Sequence, residues 1–246
     1  MSRLVVSGWL PPGAARRLRQ DDALVRIDER VTEKLSVIYL VRHGETTWNQ
    51  EGRHHGHDDS PLTERGIEQA HAAAWVLQRA IPDVRAVCIE TSPLGRARQT
   101  AAIISEALGL DVDAAVVTPL LIEHDLGAWQ GLTRAEIDSQ YPNARRERRA
   151  NKWNYVVPCG ESYAFVAARA RQWLANERHA PITIAVTHGK ISRTIQGAYA
   201  GLTPSETLAR SHHQNRIYQL FAGQVVEMSC ELSRPSTDLV RHPMAR

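Results

Sequence analysis

Cysteine is scarce: Cys88, Cys159 and Cys230 are the only three in 246 residues, and they are odd in number and widely spaced. That pattern matches reduced thiols and a cytoplasmic setting better than a disulfide framework. No apolar run approaches the roughly 18 residues of a membrane-spanning helix, so no membrane partner is expected. Charge of one sign is also lacking, because 30 Lys and Arg against 27 Asp and Glu leave a formal net charge of +3. Such mild, dispersed basicity suits small anionic molecules and argues against a nucleic-acid partner. No Pro- or Ser-rich linker, internal repeat or low-complexity segment divides the chain. One α/β domain with a full core is therefore the natural expectation at this length.

What is present begins with Arg42-His43-Gly44-Glu45, set directly behind the apolar run 36–41. A strand that ends in an imidazole, a guanidinium and a glycine sits where α/β folds place their chemistry. The residue types suit a histidine that attacks phosphorus. Arg42 offers a planar fork for phosphate oxygens, Gly44 is expected to let backbone N–H groups approach them, and His43 is a nucleophile at neutral pH. A second strand-histidine-glycine unit, Thr187-His188-Gly189, closes the apolar run 182–186. Ser92-Pro93 opens a helical pattern that puts Arg96 near a helix N-terminus, which favours anions. Glu123 follows another apolar run and is a candidate to protonate a leaving oxygen and then deprotonate water. Apolar runs at 36–41, 84–90, 114–122, 182–187 and 216–222 alternate with helical patterns at about 63–80, 94–108, 133–140, 161–177 and 190–200. This alternation predicts a three-layer α/β/α sandwich with a mostly parallel central sheet flanked by helices.

In this order the motifs resemble the histidine phosphatase, or phosphoglycerate mutase-like, superfamily. The resemblance rests on Arg-His-Gly-Glu-Thr-x-Trp-Asn at 42–49, Pro-Leu-Thr-x-x-Gly at 61–66, Ser-Pro-Leu-x-Arg-Ala-x-Gln-Thr-Ala at 92–101, Glu-x-x-Leu-Gly-x-Trp-x-Gly at 123–131, Gly-Glu-Ser at 160–162 and Thr-His-Gly at 187–189. It implies that His43 is phosphorylated during turnover and that Arg42, Arg96 and His188 complete the phosphate pocket. It further implies Asn49 as an additional phosphate contact and Glu123 as general acid and base. Two arginines and a protonated His188 would neutralise the transferring group without a metal, so neither metal nor cofactor is expected. Glu123 is expected to carry a raised pKa, on the premise of an anionic pocket.

The implied function is a metal-independent phosphomonoesterase acting on a small phosphorylated metabolite, with a sugar phosphate or bisphosphate as the candidate class. The segment Arg148-x-x-x-Lys152-x-x-Tyr155 through Gly160-Glu161-Ser162-Tyr163 resembles the bisphosphatase domain of the fructose-2,6-bisphosphate enzymes. That resemblance implies Arg148, Lys152, Tyr163 and Arg193 as contacts to a distal phosphate, while Gly189 and Arg134 depart from its glutamine and tyrosine. Arg145, Arg146, Arg148, Arg149 and Lys152 can equally form a solvated helix face. Two other functions stay open, a 2,3-bisphosphoglycerate-dependent phosphoglycerate mutase and a non-catalytic phosphate-binding module. The mutase is disfavoured because only 13 residues lie between Arg146 and Gly160.

His54, His55, His57, Asp58 and Asp59 read as a surface loop at the pocket mouth rather than a zinc site, since their spacing lacks a helical i, i+4 pair. Residues 1–34 form a predicted N-terminal extension and 35–246 the predicted catalytic domain, with a homodimer as the expected assembly. Residues 1–20 carry Arg3, Arg16, Arg17 and Arg19 without an acid, which fits a flexible extension or an organelle-type presequence better than a secretion signal.

Overall fold

The computed structural model describes residues 36–176 and 180–230. The predicted extension at 1–34 lies outside them. Six strands form one mixed sheet in the order β3-β2-β4-β1-β5-β6. They are β1 (Val37–Arg42), β2 (Val87–Thr91), β3 (Val116–Val117), β4 (Ile182–Thr187), β5 (Arg216–Phe221) and β6 (Gln224–Ser229). β1, β2, β3 and β4 run parallel, and β5 and β6 add an antiparallel edge.

β1 and β4 sit at the centre because both of their faces are apolar. Tyr39, Val41, Ile184 and Val186 belong to one core cluster, and Ile38, Leu40 and Ala185 to the other. The first cluster is closed by α2 (Glu64–Ala80) and α3 (Gly95–Leu108), whose Ala72, Ala73, Leu77 and Ile104 are buried. The second is closed by α6 (Tyr163–Ala175) and α7 (Gly189–Tyr199) through Val166, Trp173, Ile191 and Ile195. The three layers match the α/β/α expectation. Shorter helices are α1 (Thr47–Glu51), α4 (Arg134–Gln140), α5 (Ala144–Ala150) and α8 (Pro204–Ala209).

Two expectations are corrected. Of the apolar run 114–122 only Val116–Val117 pairs as a strand, and both residues are exposed; Pro119 then starts a 3-10 turn that ends at the buried Leu121. β6 was not foreseen, because as an exposed edge strand it shows no alternating apolar face. Its hairpin turn is nonetheless encoded locally. Ala222 and Gly223 both take left-handed φ, 48° and 77°, as the tight turn of a hairpin requires.

Candidate active site

The parallel strands end at one edge of the sheet, and there the dispersed motifs meet. Arg42 is the last residue of β1, His188 follows β4 and caps α7, and Arg96 lies in the first turn of α3. The rings of His43 and His188 are 5.2 Å apart between centroids. His43 is 3 % exposed, and its Nδ1 lies 2.8 Å from the carbonyl oxygen of Gly44. A carbonyl can only accept, so Nδ1 carries the proton and Nε2 keeps its lone pair. Burial first, then His188, Arg42 and Arg96, holds the His43 pKa well below the ordinary histidine value. At neutral pH the ring is neutral, with its lone pair on Nε2.

Arg96 is 1 % exposed and is held by the loop that carries the histidine-rich segment. Its Nη1 donates to the Asp58 carbonyl at 2.7 Å and to Asp59 Oδ1 at 2.9 Å, and its Nη2 to the Gly56 carbonyl at 2.9 Å. Asp59 also receives the backbone N–H groups of Gly95 and Arg96, capping α3, whose own N-cap residue Leu94 makes no side-chain cap. Arg42 Nη1 donates to the His212 carbonyl at 2.9 Å. The Nε atoms of Arg42 and Arg96 and the Nδ1 of His188 are buried and have no partner within the protein.

Glu123 is 7 % exposed, with its carboxylate at the N-terminus of α7. Oε1 accepts from the His124 N–H at 2.8 Å, and the carboxylate also takes the N–H groups of Lys190 and Ile191 at about 3.2 Å. Burial pushes the Glu123 pKa up, but Lys190, His188 and the His124 N–H together bring it well below the usual carboxylate range. This corrects the expected rise, because the pocket around Glu123 is cationic rather than anionic. The expected protonated His188 is corrected in the same way. Burial and Arg96 outweigh the pull of Glu123, so its pKa lies well below 6.5 and the ring is neutral in the free protein.

Gly44 plays another part than the one expected. Its N–H donates to Thr100 Oγ1 at 3.1 Å, and a Cβ there would stand 2.2 Å from the Gly66 carbonyl oxygen. The glycine allows two backbones to cross and does not present its N–H to a ligand. At Gly189 a Cβ would press on His212 Cδ2 at 2.5 Å and lie 3.5 Å from the Arg42 guanidinium carbon. Asn49 Oδ1 is taken by the Thr46 N–H and by Gln214 Nε2, so its amide N–H donors are the atoms left to face other groups.

The remaining candidates gather beside this pocket. Tyr163 is 2 % exposed and accepts from Arg193 Nη1 at 3.4 Å, while Arg193 Nη2 bonds His212 Nδ1 at 2.7 Å. Arg148 Cζ stands 6.0 Å and Lys152 Nζ 5.8 Å from the Tyr163 ring centre. A cavity of about 230 Å³ adjoins them, lined by Arg134, Arg145, Arg148, Arg149, Lys152 and Lys190, with no carboxylate in its wall. The basic cluster on α5 is therefore only in part a solvated face: Arg146 and Arg149 are exposed, while Arg145 and Arg148 are half-buried.

The histidine loop likewise turns inward in part. His55 is 8 % exposed and its Nε2 lies 2.8 Å from both Thr46 Oγ1 and Ser60 Oγ, while His57 Nε2 donates to the Glu123 carbonyl at 2.9 Å. The imidazoles of His55 and His57 are used as hydrogen-bonding pegs, and among the described residues no cluster of three or more His, Cys, Asp or Glu is arranged to hold a metal.

Several supports complete the site: Ser92 and Glu161 lie in the quoted motifs but without a role legible there, and Arg169 had no sequence signal. Ser92 Oγ lies 2.7 Å from His188 Nε2. Arg169 of α6 donates to the Leu120 carbonyl and to Glu161 Oε1, and the Glu161 carboxylate takes the Asp125 N–H at 2.9 Å. Arg169 and Glu161 together fix the segment that carries Glu123. The Gly-Glu-Ser motif thus acts as a brace.

Two buried histidines with rings 5.2 Å apart, beside the buried Arg96 and the half-buried Arg42, are the decisive arrangement, and the histidine phosphatase superfamily (branch 1) matches the chain over residues 38–223. The chain belongs to that superfamily. It is 31 % identical over 210 residues, 80 % of this chain and 93 % of the relative, to the probable phosphoglycerate mutase GpmB of Erwinia tasmaniensis. It is 35 % identical over 175 residues, 70 % of each, to the metal-independent phosphoserine phosphatase of Arabidopsis thaliana. Among solved structures it resembles a mycobacterial glucosyl-3-phosphoglycerate phosphatase complexed with VO3, with a TM-score of 0.64, 32 % identity, and 75 % of this chain and 90 % of that one covered. Histidine phosphatase superfamily relatives include phosphatases and mutase-like proteins, so the chain is that of an enzyme of phosphoryl chemistry. Among its described residues no helix is long and apolar enough to cross a membrane.

Proposed function

We propose that this member of the superfamily is a metal-independent phosphomonoesterase that works through a phosphohistidine on a small phosphorylated metabolite, a sugar phosphate or bisphosphate being the leading class. The observation that carries the reading is the His43 ring, whose Nδ1 is committed to the Gly44 carbonyl so that the lone pair is on Nε2, and whose centroid lies 5.2 Å from that of His188. His43 Nε2 attacks phosphorus as the bond to the leaving oxygen breaks, and Arg42, Arg96 and His188 take the charge on the equatorial oxygens. Glu123 donates a proton to the leaving oxygen. The resulting carboxylate then takes a proton from water, whose oxygen displaces His43 from phosphorus and releases inorganic phosphate.

Glu123 must hold a proton to begin, and its cationic surroundings disfavour this in the free enzyme. Arrival of a phosphate dianion offsets those cations and raises its proton affinity. The substrate thus arms its own acid.

A mutase that returns the phosphoryl group is a second reading, favoured by likeness to the probable phosphoglycerate mutase of Erwinia tasmaniensis. The deciding experiment follows phosphate release from an aryl phosphate in EDTA by wild type and His43→Ala, with acid-labile phosphoenzyme trapped on His43. Release by wild type, with a loss of about 10³-fold or more in the variant, supports the phosphatase. Phosphoenzyme without release selects the mutase, and the absence of both leaves a binding module.

A further inference from the structure

Among the described residues Lys190 is the one cation that both bonds the candidate acid and lines the neighbouring cavity. Its backbone N–H donates to Glu123 Oε1 and Oε2 at 3.2 and 3.3 Å. Lys190 also lines the cationic cavity beside Arg148 and Lys152, and no carboxylate is among the described residues of its wall. We propose that Lys190 is a specificity-determining residue: its ammonium binds a second anionic group on the leaving side of the substrate, so that one residue holds that group and Glu123 in register. The class of substrate is then a phosphomonoester whose leaving group bears a carboxylate or a further phosphate. This rests on the phosphomonoesterase reading above.

Three facts support the assignment. Lys190 stands in the first turn of α7, immediately after His188 and Gly189, so its backbone is fixed by the same helix start that receives Glu123. Burial and the surrounding Arg148, Arg42 and Arg96 lower its pKa to about 8 against the pull of Glu123, so it is charged at neutral pH yet poorly compensated. The cavity holds more positive charge than its own neighbours neutralise, since among its lining arginines only Arg145 is ion-paired to a carboxylate, that of Asp138. A second anion there relieves like-charge repulsion as well as gaining hydrogen bonds, and by neutralising Lys190 it promotes protonation of Glu123. The preference should therefore appear in kcat as well as KM.

The test uses two matched pairs of probes, glycerol 3-phosphate with 3-phosphoglycerate, and fructose 6-phosphate with fructose 1,6-bisphosphate. The first isolates a carboxylate and the second a phosphate. Wild type should favour at least one doubly anionic member by about 10- to 100-fold in kcat/KM, the factor carried by a charge-assisted hydrogen bond. In Lys190→Met and Lys190→Gln the ratio should collapse toward unity, and Lys190→Arg should retain most of it. The ratio is internal to each variant, so a general loss of fold or rate does not imitate the result. No preference in wild type, or an unchanged ratio in both neutral variants, overturns the proposal while leaving the phosphatase standing. Failure of wild type to hydrolyse even an aryl phosphate or to form phosphoenzyme removes both.

Discussion

At the scale of single residues, the site works by setting proton positions. Three side chains that a casual reading would take as charged or free are constrained: His43 by a carbonyl, His188 by Ser92, and Glu123 by three backbone N–H groups. The types and order of the chemistry-bearing residues were legible in the sequence because Arg42, His43, Glu123 and His188 follow apolar runs and Arg96 opens a helical pattern. Their protonation states were not legible, since these depend on neighbours far away in the chain, such as Arg96 for His188 and Lys190 for Glu123. Glu123→Gln tests the role of the acid. The loss should reach about 10²–10⁴-fold for a sugar phosphate, whose leaving alkoxide needs a proton, and stay small for an aryl phosphate, whose phenolate does not. Equal losses on the two substrates would remove the proton-transfer role.

Elements explain why these residues stay where they are. α3 begins without a cap of its own and borrows Asp59 from a loop 36 residues earlier, which makes the Arg96 clamp and the start of its helix one unit. Asp59→Ala should therefore cost about 1 kcal/mol in chemical denaturation, the usual value of a helix cap, and also lower kcat/KM through Arg96. A stability loss with full activity would show that the clamp does not depend on the cap. The central strands read clearly from composition: β1 and β4 emerged within a residue of their bounds because both their faces are buried. β3, β6 and α8 did not, because a two-residue strand, an exposed edge strand and a one-turn-and-a-half helix bury too few side chains to leave a periodic trace. The basic run on α5 was visible as charge, but its facing toward a cavity required the packing of Trp129 and Tyr163 beneath Arg148.

At the scale of the whole molecule the fold stores histidines in their neutral form. His43 and His188 lie well below the ordinary value, His54 falls to about 4, and His55, His124 and His212 to about 3, with burial the largest cause in each case. Unfolded histidines titrate near 6.5, so as pH falls below that value the unfolded chain takes up protons that the folded chain refuses. The stability they contribute is complete above about pH 6.5 and is lost progressively as pH falls toward 4. Denaturation midpoints measured at pH 7.5, 6 and 5 should drop at each step, and a flat midpoint across that range would contradict the neutral burial of these rings.

The seat of β4 between β1 and β2 carries a further meaning for synthesis. β1 and β2 have no ladder with each other, and both pair only through a strand whose partners Val37 and Ile182 stand 145 positions apart. As the chain leaves the ribosome, more than two thirds of it emerges before the strand that joins its sheet exists, and His188 arrives in the next few residues. The strand that joins the two parts of the sheet is therefore followed at once by His188, so a chain cut short before β4 lacks both the joined sheet and that histidine.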